Sequence, residues 1–137
     1  MDAVPHLRME VRAGEVSKGM TVKDPRLISL VKQIAEALPG AFGPLNVQCF
    51  LTPSGEIRVI EMNARFGGGY PLAHQAGAHM TTWLLEETMG MKPAGPFGIW
   101  ANHLLMLRYD EAVFVSSVAG EVTQKNTYAE SVSRIRY

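Results

Sequence analysis

The stretch NVQCFLTPSGEIRVIEMNARFGGG, residues 46–69, reads as two strands joined by a turn and followed by a glycine loop. Leu45–Leu51 and Glu56–Met62 are the strands, and Thr52-Pro53-Ser54-Gly55 between them is a turn cluster of the kind that closes an antiparallel hairpin. Glu61 and Asn63 lie two residues apart, so on a strand both side chains leave the same face, while Ile60 and Met62 point the other way into apolar packing. With Leu51 facing Glu56 across the turn, Asn46 falls opposite Glu61 and Gln48 opposite Val59. Gln48 is then a diagonal neighbour of Glu61, and Gln48, Glu61 and Asn63 share one side of the hairpin.

That donor set suits a hard divalent cation. Magnesium takes oxygen ligands, commonly one or two carboxylates, and leaves other positions to water and substrate phosphates. Arg65 follows Asn63 by two, so on a continued strand its planar fork reaches the same phosphates and neutralises charge that grows during phosphoryl transfer, a catalytic as well as a binding role. Gly67, Gly68 and Gly69 let backbone donors approach an anion or permit positive φ, although glycine triplets also serve as plain turns. A Glu-x-Asn pair alone is ordinarily a solvated strand face; its conjunction with Gln48, Arg65 and the glycines marks a site. Arg12 and Lys18 lie in VRAGEVSKGM, read as a loop, where they are further candidates to grip phosphate; plain surface charge is the simpler explanation.

Outward from the hairpin, His6–Val11 alternates with Leu7, Met9 and Val11 on one face, as in a half-buried strand. Asp24-Pro25 opens a helix whose apolar stripe runs through Leu27, Ile28, Val31, Ile34, Ala35 and Leu38 to a stop at Pro39-Gly40. Residues 71–76 and 78–89 form two short helices punctuated by Gly77, and strands are expected over 99–109 and 112–118. The fold class is therefore α+β, a mainly antiparallel sheet packed against helices in a single domain over residues 1–137.

The chain of 137 residues is 47% apolar and 19% charged, enough for a real core. Thirteen basic residues balance thirteen acidic ones, so no overall field draws it to nucleic acid or to a membrane surface. No apolar run approaches the ~20 residues of a membrane span, and the amino end lacks a signal-peptide core. Cys49, the only cysteine, rules out an internal disulfide, fits a reducing cytoplasm, and should point away from Gln48 as a small core residue rather than a nucleophile. Trp83, Trp100, Phe50, Phe114 and the eight methionines are expected in packing. His74 and His79, five apart, do not share a helix face as metal ligands and are taken, with His6 and His103, as structural or surface residues.

The motifs Gly43-Pro44-Leu45-Asn46-Val47-Gln48 and Val59-Ile60-Glu61-Met62-Asn63-Ala64-Arg65-Phe66-Gly67-Gly68-Gly69 resemble the carboxy-terminal half of an ATP-grasp domain, in its carbamoyl-phosphate-synthase-like branch. The resemblance covers roughly residues 5 to 115 and is strongest from 43 to 78. It implies an ATP-grasp carboxy-terminal subdomain with Gln48, Glu61 and Asn63 as ligands of Mg2+ (or Mn2+) and Arg65 as a phosphate contact. It further implies ATP as cofactor, small carboxylate and amine substrates, and a C–N ligase reaction through an acylphosphate. The glycine-rich flap and adenine-binding lysines of such enzymes have no counterpart in this sequence. The chain is thus expected to be a fragment of a longer enzyme that needs an amino-terminal half as partner and is inactive alone. A non-catalytic binding module and a self-associating homodimer are the alternatives.

Overall fold

The computed structural model describes residues 2–112, 114–118 and 121–124. Among these, the order is β1 (His6–Arg12), β2 (Glu15–Thr21), α1 (Pro25–Ala37), β3 (Asn46–Leu51), β4 (Ile57–Asn63), α2 (Tyr70–Gln75), α3 (Met80–Thr88), β5 (Leu105–Leu107), β6 (Val115–Val118) and β7 (Glu121–Gln124). Every strand pairing is antiparallel and the class is α+β, as expected. The sheet is divided, however, into β1-β2-β5 and the two-stranded ribbons β3-β4 and β6-β7.

The central strand of the largest sheet, β2, occupies the segment expected to be a loop. Its buried positions are Val16, Ser17, Gly19 and Thr21, so neither face shows the apolar alternation by which strands are recognised. Hydrogen bonds take the place of apolar burial. Thr21, wholly enclosed, donates its hydroxyl to Ala101 O (2.8 Å) and accepts from Leu104 N (2.9 Å), and Ser17 Oγ donates to Glu10 Oε1 (3.1 Å). The β1–β2 turn is also concealed. Ala13 and Gly14 both adopt positive φ, 49° and 81°, between the paired Arg12 and Glu15, the geometry of a two-residue primed turn in which alanine is an unusual occupant.

On β1 the pairing slips on either side of Glu10, and Met9 has no partner in the ladder. Leu7, Met9 and Val11, expected on a half-buried face, are all exposed. Residues 99–109 form a strand only at Leu105–Leu107. The preceding turn wraps the end of β2 through Thr21 N to Leu104 O (3.0 Å) and His103 N to Thr21 O (2.9 Å). The strand expected over 112–118 is described from Val115, residue 113 lies outside the described residues, and β7 had not been expected.

Helix α1 starts as its sequence dictates. Asp24 accepts from Arg26 N (2.9 Å) and pairs with the Arg26 guanidinium (2.6 Å), which holds its carboxyl down at about 2, while Pro25 sits where no amide donor is needed. Its apolar stripe is half-buried from Leu27 to Ala35, and Leu38 at its end is exposed. The core gathers Ala76, Ala78, Trp83 and Trp100, with Val4, Ile28, Met80 and Leu104 against them. Gly77, at φ 107°, makes the bend between α2 and α3. Both tryptophans are therefore core, as expected, but Phe50 (67% exposed) and Phe114 (85%) are not, and Met9, Met62, Met89 and Met91 are exposed as well. For Phe50 and Met62 the reason is topological: a two-stranded ribbon has little to bury either face against. Among the described residues no helix is long and apolar enough to cross a membrane.

Candidate functional site

The β3–β4 register differs from the expected one by two steps. Leu51 pairs with Ile57 rather than Glu56, because the turn takes in Glu56: Gly55 N donates to Thr52 O (2.8 Å), Glu56 N to Thr52 Oγ1 (3.0 Å) and Thr52 N to Glu56 O (2.9 Å). A bulge then separates Gln48, paired with Glu61, from Cys49, paired with Val59, and Ile60 is the extra residue. Each step slips the pairing by one residue; together they preserve which face each side chain occupies. Gln48 therefore stands directly across from Glu61, and Asn46 across from Asn63. Ile60 and Met62, expected to point into apolar packing, are exposed.

The carboxylate of Glu61 is gripped from both sides. Asn63 Nδ2 donates to Oε1 (2.7 Å) and Gln48 Nε2 to Oε2 (3.2 Å), while the guanidinium of Arg8, reaching over from β1, donates to Gln48 Oε1. Three of the residues singled out from the sequence are thus in one hydrogen-bonded cluster. An amide carries its oxygen and nitrogen on one carbon, so a half-turn of the Gln48 and Asn63 termini presents oxygens where the NH2 groups now lie. The donor set then fits magnesium or manganese, with one carboxylate and two neutral oxygens. Among the described residues no group of three or more His, Cys, Asp or Glu is disposed around a metal position.

Arg65 is placed differently from expectation. Strand β4 ends at Asn63, Arg65 N turns back onto Asn63 O (2.9 Å), and its exposed guanidinium donates to Phe66 O (3.2 Å) rather than to any of the three cluster residues. Gly67, Gly68 and Gly69 do not use positive φ. They are small because the loop lies against other side chains: a Cβ at Gly67 would overlap Asn46, at Gly68 Glu15 and at Gly69 His6. The loop thereby seats the hairpin against the first sheet. Arg12 and Lys18 are ion-paired, with Asp110 (2.9 Å) and Glu10 (2.6 Å).

Burial lowers the pKa of His6, only partly opposed by its contact with Val4 O (3.4 Å), so the ring beside Gly69 favours the neutral form. Cys49 is half-buried and desolvation pushes its thiol up, as befits a packing residue. His74 and His79 do not share a helix, but the bend at Gly77 brings their rings to 4.6 Å, and Tyr70 Oη lies 3.3 Å from His74 Nδ1. Arg8, Glu15 and Arg108 enter the surroundings of the site without a local sequence signal, because each arrives from another element, whereas Asn46 shares β3 with Gln48. Recognition of the Ala13-Gly14 turn would have revealed β2 and with it Glu15.

The model of a family described as "ATP-grasp in the biosynthetic pathway with Ter operon" matches residues 3–102, which contain the hairpin, the glycine loop and helices α1, α2 and α3. The chain belongs to this ATP-grasp family. Among curated proteins none matches it. ATP-grasp domains in general bind ATP together with Mg2+ or Mn2+. The matched segment ends before β5, so Arg108 and Asp110 lie beyond it.

Proposed function

We propose that the chain supplies the metal- and phosphate-binding half of an ATP-dependent carboxylate–amine ligase of carbamoyl-phosphate-synthase-like type. The observation that carries this reading is the cluster of Gln48 and Asn63 on the two oxygens of Glu61, inside the segment matched by the ATP-grasp family. Bound Mg2+ or Mn2+ supplies charge neutralisation for the phosphates. Glu61 would hold the ion, Gln48 and Asn63 would offer it their amide oxygens once turned, and Arg65, now on the Phe66 carbonyl, would be the phosphate contact. The Gly67–Gly69 loop, seated against Asn46, Glu15 and His6, would offer the nucleotide's phosphates backbone rather than side chains of its own. A substrate carboxylate attacks the terminal phosphorus of ATP, ADP leaves, and an amine then displaces phosphate from the acylphosphate to form the C–N bond. The protein's part is positioning and charge neutralisation, which phosphoryl transfer chiefly requires.

The adenine-binding half is supplied by another segment or another chain. Exposed Leu7, Met9 and Val11 on β1 and Phe50, Ile60 and Met62 on the hairpin are apolar surfaces such a half would cover; pairing of two copies is the second reading those surfaces favour. A single half-buried thiol suits the cytoplasm. Calorimetric titration of Mg2+ with ADP into the chain, alone and mixed with the complementing half, tests the proposal. Binding that appears with the mixture and vanishes in Glu61→Ala is expected; equal binding by Glu61→Ala overturns the assignment.

A further inference from the structure

Arg108 belongs to none of the site residues foreseen from the sequence, yet it joins three parts of the molecule. Its backbone N donates to Ser17 O (2.8 Å), continuing the ladder just past β5. Its side chain reaches the glycine loop, where Nη2 donates to Gly68 O (3.1 Å), and Nη1 lies 3.5 Å from Glu15 Oε2 on β2. Glu15 is also the side chain that occupies the space a Cβ at Gly68 would need. Loop, acid and guanidinium are therefore in mutual contact. Below them, Leu72 of α2, the helix that the loop leads into, packs over Gly19 of β2.

The geometry points to Arg108 as a positioning residue that latches the Gly67–Gly69 loop onto β2 and so sets the height of the phosphate-facing backbone beside the Glu61 cluster; this rests on the function proposed above. A planar fork engages the Gly68 carbonyl and the Glu15 carboxylate with different nitrogens at once. Lysine carries a compact ammonium without the planar fork, so it loses this two-nitrogen geometry. The latch comes from outside the segment that carries the metal cluster, so it adjusts the loop without touching the metal ligands.

Two measurements on the full chain test this, using wild type, Arg108→Ala, Arg108→Lys and Glu61→Ala. Hydrogen exchange reads the loop through the Tyr70 N–Gly67 O (2.9 Å) and Leu72 N–Gly69 O (3.1 Å) bonds. Arg108→Ala is expected to speed exchange at these amides about ten-fold, as for loss of one charge-assisted bond, with Arg108→Lys intermediate and Glu61→Ala unchanged. Exchange in Arg108→Ala equal to wild type overturns the latch, whether or not the chain binds nucleotide. Calorimetry with Mn2+ alone and with Mn2+ plus ADP, in the presence of the complementing half, then reads its consequence. Arg108→Ala should weaken the nucleotide about ten-fold and leave Mn2+ alone unaffected, with partial rescue by lysine. Equal weakening of both ligands, or of neither, overturns the positioning role, whereas loss of nucleotide binding by wild type itself counts against the ligase reading.

Discussion

Gln48 stands directly opposite Glu61 across the β3–β4 hairpin and donates its side-chain amide to one carboxylate oxygen at 3.2 Å, while Asn63 holds the other at 2.7 Å. A lone carboxylate on an exposed ribbon would otherwise be solvated; here each of its two oxygens accepts from a side-chain amide.

Mn2+ binding should depend on all three residues unequally. Glu61→Ala is expected to abolish it, because the only charge in the set is removed. Asn63→Ala and Gln48→Ala should each weaken it about ten-fold, since water can take the place of the neutral amide oxygen that is lost. Titration followed by manganese electron paramagnetic resonance measures this, and full binding by Glu61→Ala would remove the basis of the metal assignment.

Thr21→Val should destabilise the fold although the two side chains are nearly equal in size. The valine leaves Leu104 N and Ala101 O without the hydroxyl that both now contact in a fully buried position. A loss of about 1–3 kcal/mol is expected in urea unfolding. A change near zero would mean that the 101–104 turn does not depend on this side chain.

Two glycines predict opposite severities. A Cβ at Gly95 overlaps the indole of Trp83, which is buried in the core and cannot swing away, so Gly95→Ala should cost about 1–3 kcal/mol. At Gly68 the obstructing group is the end of the exposed Glu15 side chain, which can rotate. Gly68→Ala should lower the melting temperature less than Gly95→Ala; the reverse order would show that the glycine loop, not the Trp83 core, is the tighter contact.

Stability should fall on mild acidification because of His6. Its folded pKa is lowered, first by burial, so the unfolded chain takes up the proton near the ordinary value of about 6.5 while the folded chain does so only at lower pH. Between those two points the unfolded state binds more protons, and stability drops as pH falls through that window. Above it His6 contributes no pH dependence. Melting curves from about pH 7.5 to 5.5 should show this drop, flattened in His6→Gln; identical slopes in the two proteins would contradict it.

Sedimentation velocity should detect self-association of the isolated chain, given the exposed apolar side chains of β1 and of the hairpin. Leu7→Lys combined with Met9→Lys should reduce it. A monomer at every concentration would leave those surfaces to the complementing half.

Local chemistry was enough to determine the elements whose cause lies in neighbouring residues. Asp24-Pro25 announces α1 by capping, Gly77 divides α2 from α3, and the two-residue spacing of Glu61 and Asn63 puts both on one face whatever the register. Contacts between distant segments determined the rest. Strand β2 is held by hydrogen bonds to residues 101–108 rather than by an apolar pattern, and its alanine-containing turn carries no common signature. The turn that takes in Glu56 and the bulge at Ile60, which together turn Gln48 from a diagonal into a direct partner of Glu61, follow from how the two strands meet. The glycine loop is small for the sake of Asn46, Glu15 and His6, and Arg65 leaves the strand face because β4 ends two residues earlier. Spacing along a chain decides direction, but what a side chain touches depends on which other elements are brought beside it, and that is a property of the assembled fold.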